Sequence, residues 1–259
     1  MLEAAPDVRV RIGLIIPSSN RLTEPQMRRY APRDVEVHVT RLRMTGPHHV
    51  PLDRLYPLIA DATAALADAR CDVIVFHCTA SSMEAGVLGD ERILATMRQA
   101  APGVHVATTA SCCVAALNAL DAHRVILISP YVAATHEHEA VFLRQSGLSI
   151  TGSHALGLPG GDAYITVTPA EWLQLGVQES ERTPTADTIF LSCTNTHTPP
   201  VISALEATTG RPVVTSNQAV LWYALRRCEQ PDTIANLGRL FQLGIAPGRP
   251  ADAQRVPVP

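Results

Sequence analysis

Short apolar runs alternate with amphipathic stretches along almost the whole of this chain. Arg11–Pro17 (RIGLIIP) reads as a strand buried on both faces, and Val35–Leu42 alternates as a second strand. Leu55, Leu58, Ile59, Ala62, Leu66 and Ala69 then recur at helical spacing and lead into a third strand, Val73-Ile74-Val75-Phe76. A helix around Arg92 to Gln99, a strand at Val104–Thr109 and a helix from Ala110 to Leu120 complete the first series. Thr23 with Gln26 three residues on has the spacing of a capping box at the start of an early helix, with Pro25 tolerated in its first turn.

The pattern then starts again. RVILISPYV at Arg124 repeats RIGLIIPSS at Arg11, ADTIFLSCTNTH at Ala186 repeats CDVIVFHCTASS at Cys71, and GRPVVTSNQAV at Gly210 echoes GVHVATTASCC at Gly103. Between the first two of these, LSITGSHAL supplies a strand, and Leu158–Tyr164 is a glycine-containing loop into a second capping box, Thr168-Pro169-Ala170-Glu171. Thr198-Pro199-Pro200 starts a helix that Gly210 closes, and one short helix followed by a proline-rich end makes the tail. A repeat of this length is a duplicated lobe. The expected fold is α/β, two pseudo-symmetric lobes, each a four-stranded parallel sheet flanked by helices. Residues 1–121 form the first lobe, completed by 217–259, and residues 122–216 form the second.

Candidate chemistry gathers where the repeated strands end. Each cysteine motif runs from a buried strand into Cys78 or Cys193, and then into hydroxyl and amide side chains: Thr79, Ser81 and Ser82 in one, Thr194, Asn195 and Thr196 in the other. Ligands of parallel sheets bind at that edge. A buried cysteine is ordinarily a small hydrophobe, but two in matched contexts, facing one another across a cleft between lobes, point to thiol chemistry. Asn20 and Tyr131 occupy corresponding edges after Pro17 and Pro130, where each can donate to a ligand. His77, one residue before Cys78, is turned away from the cleft by strand alternation, whereas His197 stands nearer its mouth as a weak acid–base candidate. His136-Glu137-His138-Glu139 resembles a metal cluster, yet i and i+2 point to different faces of a helix, so a solvated face is expected. The His48–His49 stretch reads as a loop.

Composition narrows the function further. With 46% hydrophobic and 17% charged residues in 259, the chain can bury a large core. A net charge of −3 and 4% aromatic content argue against nucleic acid as a partner. No signal peptide and no apolar run long enough for a membrane span is seen, so a cytoplasmic protein without membrane contact is expected. The six cysteines show neither zinc spacing nor a secreted disulfide framework, so free thiols, no metal and no cofactor are expected, and neither a P-loop nor a G-x-G-x-x-G turn is present.

On these residues the chain resembles the aspartate/glutamate racemase superfamily, nearest to its maleate cis-trans isomerase and arylmalonate decarboxylase branch. IGLIIPSSN with Asn20, the cysteines at 78 and 193, and SPY with Tyr131 carry the likeness to the isomerases. CTASS resembles the motif of the amino-acid racemases, and SCTN is similar to ectoine-utilisation protein A. The resemblance implies a cofactor-independent enzyme for a small carboxylate, a homo-oligomer, with Cys78 as nucleophile and Cys193 handling the proton. Asn20, Thr79, Ser81, Tyr131, Thr194 and Asn195 would bind the substrate. A racemase of an amino-acid derivative or a malonate-type decarboxylase is the alternative, although the decarboxylases carry glycine at the first cysteine position. Thr79 and Ser81 stand where the isomerases have apolar residues, and Asp162 falls near a carboxylate-binding asparagine of the isomerases, so a dicarboxylate would meet a repulsive charge there. Outside enzymes, a two-lobed binding protein for small carboxylates has the same outline, but it has no need of matched thiols.

Overall fold

The computed structural model describes residues 7–45 and 50–245. Its elements run β1 (Val10–Pro17), α1 (Thr23–Tyr30), β2 (Val35–Leu42), α2 (Leu52–Asp68), β3 (Val73–Phe76), α3 (Thr79–Met83), α4 (Gly86–Ala100), β4 (His105–Thr108) and α5 (Thr109–Ala119). The second series is β5 (Arg124–Ser129), α6 (Ala133–Gln145), β6 (Ser149–Ala155), α7 (Gly161–Tyr164), α8 (Pro169–Arg182), β7 (Thr188–Leu191), α9 (Ile202–Thr209), β8 (Val213–Thr215) and α10 (Ser216–Arg227). They form two four-stranded sheets of the same winding, β2-β1-β3-β4 and β6-β5-β7-β8, with every pairing parallel. Helices cover both faces, as the uninterrupted apolar strands require.

Alternation along the central strands decides which layer each side chain joins. Ile12, Leu14, Ile16, Val73 and Val75 point into the large core that continues through β5, β7 and the two buried tryptophans, Trp172 and Trp222. Ile15, Ile74, Phe76 and Cys78 face the opposite layer with Leu55 and Ile59 of α2 and Met97 of α4. The period of two thereby turns His77 and Cys78 to opposite sides of the sheet. The C-terminal helix α10 packs on α5 and also touches α1, β3 and β8.

Several local expectations change. Thr23 is the first helical residue of α1, and its side chain makes no cap. Asn20 takes that role, its Oδ1 accepting from the N–H groups of Leu22 and Thr23 at 3.1 and 2.9 Å, while the Gln26 amide donates to Thr196 O. The capping box at Thr168 and Glu171 is present, with Pro169 opening the helix. Thr109 begins α5 instead of ending β4, because Thr108 and Ser111 form a capping box of their own. The helix near Arg92 extends over the whole of α4, and the described part of the tail folds a 3-10 turn, Arg239–Gln242, in place of the expected short helix. The His48–His49 loop lies outside the described residues. No helix among the described residues is long and apolar enough to cross a membrane.

Only part of the His136–Glu139 stretch is solvated. Glu137 and His138 are exposed, but His136 and Glu139 are buried. His136 bridges Ser129 Oγ and Ser153 Oγ at 2.7 and 2.8 Å, and Glu139 Oε1 accepts from Ser192 Oγ at 2.7 Å. Residues three apart share a helix face, and here that face packs on the sheet.

Candidate active site

The carboxyl ends of β1, β3, β5 and β7 converge on one cavity of about 40 Å3. Cys78, Thr79 and Asn20 line it from the first sheet, and Tyr131, Cys193, Thr194 and Asn195 line it from the second. Ser81 is not part of the lining; it lies buried behind Cys78, whose thiol donates to its hydroxyl at 3.4 Å. His197 is half-buried and does not line the cavity. His77 faces away from it, hydrogen-bonded to Asn217 Oδ1 at 2.7 Å and Thr109 Oγ1 at 3.0 Å. Because Asn217 Nδ2 donates to Thr194 O, its Oδ1 accepts, which places the imidazole proton on Nε2. Burial holds His77 neutral, with its pKa pushed down to about 4.

The two sulfurs have distinct surroundings. At Cys78, burial raises the thiol's pKa, and Ser81 opposes this through its hydroxyl and backbone N–H, which can both turn toward a thiolate. At Cys193, burial pushes the pKa up to about 12, opposed by hydrogen bonds from the Tyr131 hydroxyl and from Asn195 N–H, the latter 3.3 Å from Sγ. Each sulfur is therefore a thiol at rest, with donors already aimed where negative charge would develop.

Cys193 also has φ of +92°, a backbone region costly for a residue with a side chain. Its N–H donates to Ser216 Oγ at 3.1 Å and its carbonyl accepts from Thr196 Oγ1 at 3.0 Å, so neighbouring groups hold the strained turn in place. Ser216 Oγ accepts from Thr79 Oγ1 at 3.0 Å as well, tying the two cysteine loops together.

Among the described residues, no Lys, Arg, Asp or Glu lines the cavity. Recognition of an anion thus falls to neutral donors: the hydroxyl of Thr194, the carboxamides, and the backbone N–H groups that open α3 from Thr79 onward, which a helix leaves unsatisfied. Asp162 does not add a charge to the cavity. Its carboxylate is 96% exposed and pairs with Arg21 at the surface, while its neighbour Gly161 provides the lining. The repulsion expected of that aspartate is absent because the α7 turn directs it outward.

Two contributors escape the sequence reading. Tyr164 of α7 lines the cavity and meets Tyr131 edge-on, with ring centroids 5.4 Å apart; nothing in the repeated motifs of the sequence marks it. Ser216 could have been found, since the GRPVVTSNQAV echo aligns it with Thr109, which holds the end of the other cysteine strand.

Comparison with known proteins gives this geometry a context. The family model for arylmalonate decarboxylase matches residues 12–241. A maleate isomerase of Nocardia farcinica (strain IFM 10152) is 28% identical over 90% of this chain and 95% of its own length. An arylmalonate decarboxylase of Bordetella bronchiseptica is 29% identical over 83% of this chain and 89% of its own. Among solved structures, a cysteine-to-serine mutant of the Nocardia farcinica maleate cis-trans isomerase with a covalently bound succinylcysteine intermediate superposes with a TM-score of 0.80 at 26% identity, covering 90% of this chain and 98% of that one.

Proposed function

Since the chain belongs to the arylmalonate decarboxylase family, we propose that it is a cofactor-independent, two-cysteine isomerase of a small unsaturated carboxylate, with maleate as the reference substrate. The observation that carries this reading is the presence of both thiols, Cys78 and Cys193, in one cavity. The relatives named as maleate isomerases, and the succinylcysteine found in one of them, support it.

The chemistry follows from what each sulfur touches. Cys78, having lost its proton to solvent, adds as a thiolate to one alkene carbon, and the Cys193 thiol delivers its proton to the neighbouring carbon. A succinyl thioether on Cys78 and a thiolate on Cys193 result. With the double bond now single, the C–C bond rotates; Cys193 then takes the proton back and the C–S bond breaks, releasing the trans alkene and the Cys78 thiolate. Ser81 stabilises the charge on Cys78 at the start and end, and Tyr131 with Asn195 N–H stabilises the charge on Cys193 in the middle. Thr194, Asn20 and Asn195, with the backbone N–H of Thr79, hold the carboxylates through hydrogen bonds without a counter-charge.

A racemase of an amino-acid derivative is the second reading, favoured by the hydroxyls of Thr79 and Ser81 around the first cysteine. Proton NMR of the protein with maleate in heavy water separates the two. The isomerase reading expects fumarate to form; no fumarate from maleate, together with solvent deuterium entering the α-carbon of an amino-acid derivative, would replace it with the racemase.

A further inference from the structure

Glu139 is fully buried on α6, directly beneath the site. One carboxylate oxygen accepts from Ser192 Oγ at 2.7 Å, and the other has no hydrogen-bond partner among the described residues. Ser192 is itself pinned, its N–H donating to Ile128 O at 2.8 Å, and the next residue is Cys193 in its strained conformation. A half-satisfied carboxyl in the core costs stability whether neutral or charged, and buried titratable groups of this kind concentrate at working sites.

We propose that Glu139 is a positioning residue for the cysteine pair: as an uncharged acid it braces Ser192 and with it the Cys193 turn, and on ionisation it suppresses both thiolates. The proposal rests on the two-cysteine reading of the site. Burial raises the Glu139 pKa to about 8, opposed by the Ser192 hydrogen bond, so the acid is mostly neutral near pH 7. A negative charge at this position raises the pKa of Cys78 and of Cys193, and also those of Tyr131 and Tyr164. Cys113 of α5 faces it too. Asp90 of α4 acts on the same Cys113, and Glu84 acts on Cys78. Among the described residues, no cation is among the groups that shift Glu139, so its charge would go uncompensated at the thiols. His136 and Glu137 on its own helix are turned to other partners.

The test compares alkylation of the two cysteines by iodoacetamide, followed by peptide mass spectrometry, in the wild-type protein and in Glu139→Gln. It needs no substrate, so its outcome is independent of which carboxylate is turned over. Rates matching at about pH 6, with the variant reacting roughly tenfold faster by about pH 9, are expected, a factor that corresponds to one pKa unit at a cysteine. A ratio that stays constant across that range overturns the proposal. Should Glu139→Gln fail to fold, the alkylation pH profile of the wild-type protein serves instead. A Cys193 rate that rises with pH, stalls near pH 8 and then resumes supports the assignment, and a rate that rises without that inflection overturns it.

Discussion

The Asn20 amide donates to Thr194 Oγ1 at 3.0 Å, joining the loop after β1 to the loop after β7 across the cavity. Its carbonyl oxygen meanwhile caps α1. Asn20 therefore shapes the site as well as lining it. Replacing it with alanine is expected to remove both interactions, lowering stability by about 1–3 kcal/mol, the cost of stranding buried partners, together with a fall in kcat/KM. Urea denaturation and steady-state kinetics check this, and a variant with the wild-type midpoint would show that the cap and the bridge contribute nothing.

Tyr131 has a narrower task. Its hydroxyl bonds the Cys193 sulfur, and the charge on that sulfur rises only once the proton has gone to substrate. Tyr131→Phe should consequently lower kcat and leave KM nearly unchanged, at a cost of about 2–4 kcal/mol, the scale of one oriented donor to a developing anion. An unchanged kcat would remove the phenol from proton handling.

The architecture was legible because duplication and alternation are both written in the sequence. The apolar runs of β1, β3, β5 and β7 allow only strands buried on both faces, and the matched cysteines lie at their ends. Polar side chains with two plausible partners were harder to place. Thr23 and Gln26 have the spacing of a local cap, yet cross-lobe acceptors on Thr194 and Thr196 compete for them and win. Likewise, Glu139 ends a charged run that reads as solvent-facing, and only the packing of α6 on the sheet shows the carboxyl entering the core. Tyr164 belongs to the turn α7, whose position depends on tertiary contacts with Tyr131 that no periodicity encodes.

His77 gives a pH dependence with a definite sign. Its folded pKa of about 4 lies below the ordinary imidazole value of 6.5, so the unfolded chain binds the proton more readily. The stability contributed by neutral His77 is fully present above pH 6.5 and is lost as pH falls toward 4. Thermal midpoints across that window should decline in the wild type and decline less in His77→Gln, whose amide can still meet Asn217. Parallel declines would assign the acid sensitivity to other groups.

Among the described residues, no cluster of three or more His, Cys, Asp or Glu side chains is arranged to hold a metal. Dialysis against EDTA is expected to leave turnover of maleate unchanged. Loss of activity that a divalent ion restores would contradict the thiol mechanism.

The central claim is that Cys78 forms the covalent bond and Cys193 moves the proton. Intact-protein and peptide mass spectrometry after incubation with maleate tests it most directly, using the wild type, Cys78→Ser and Cys193→Ser. The account predicts a succinyl adduct on Cys78 that accumulates in Cys193→Ser, where solvent slowly supplies the proton that forms it but no thiolate takes that proton back, and no adduct in Cys78→Ser. An adduct carried by Cys193 in Cys78→Ser, or no adduct and no turnover in any of the three proteins, would contradict it.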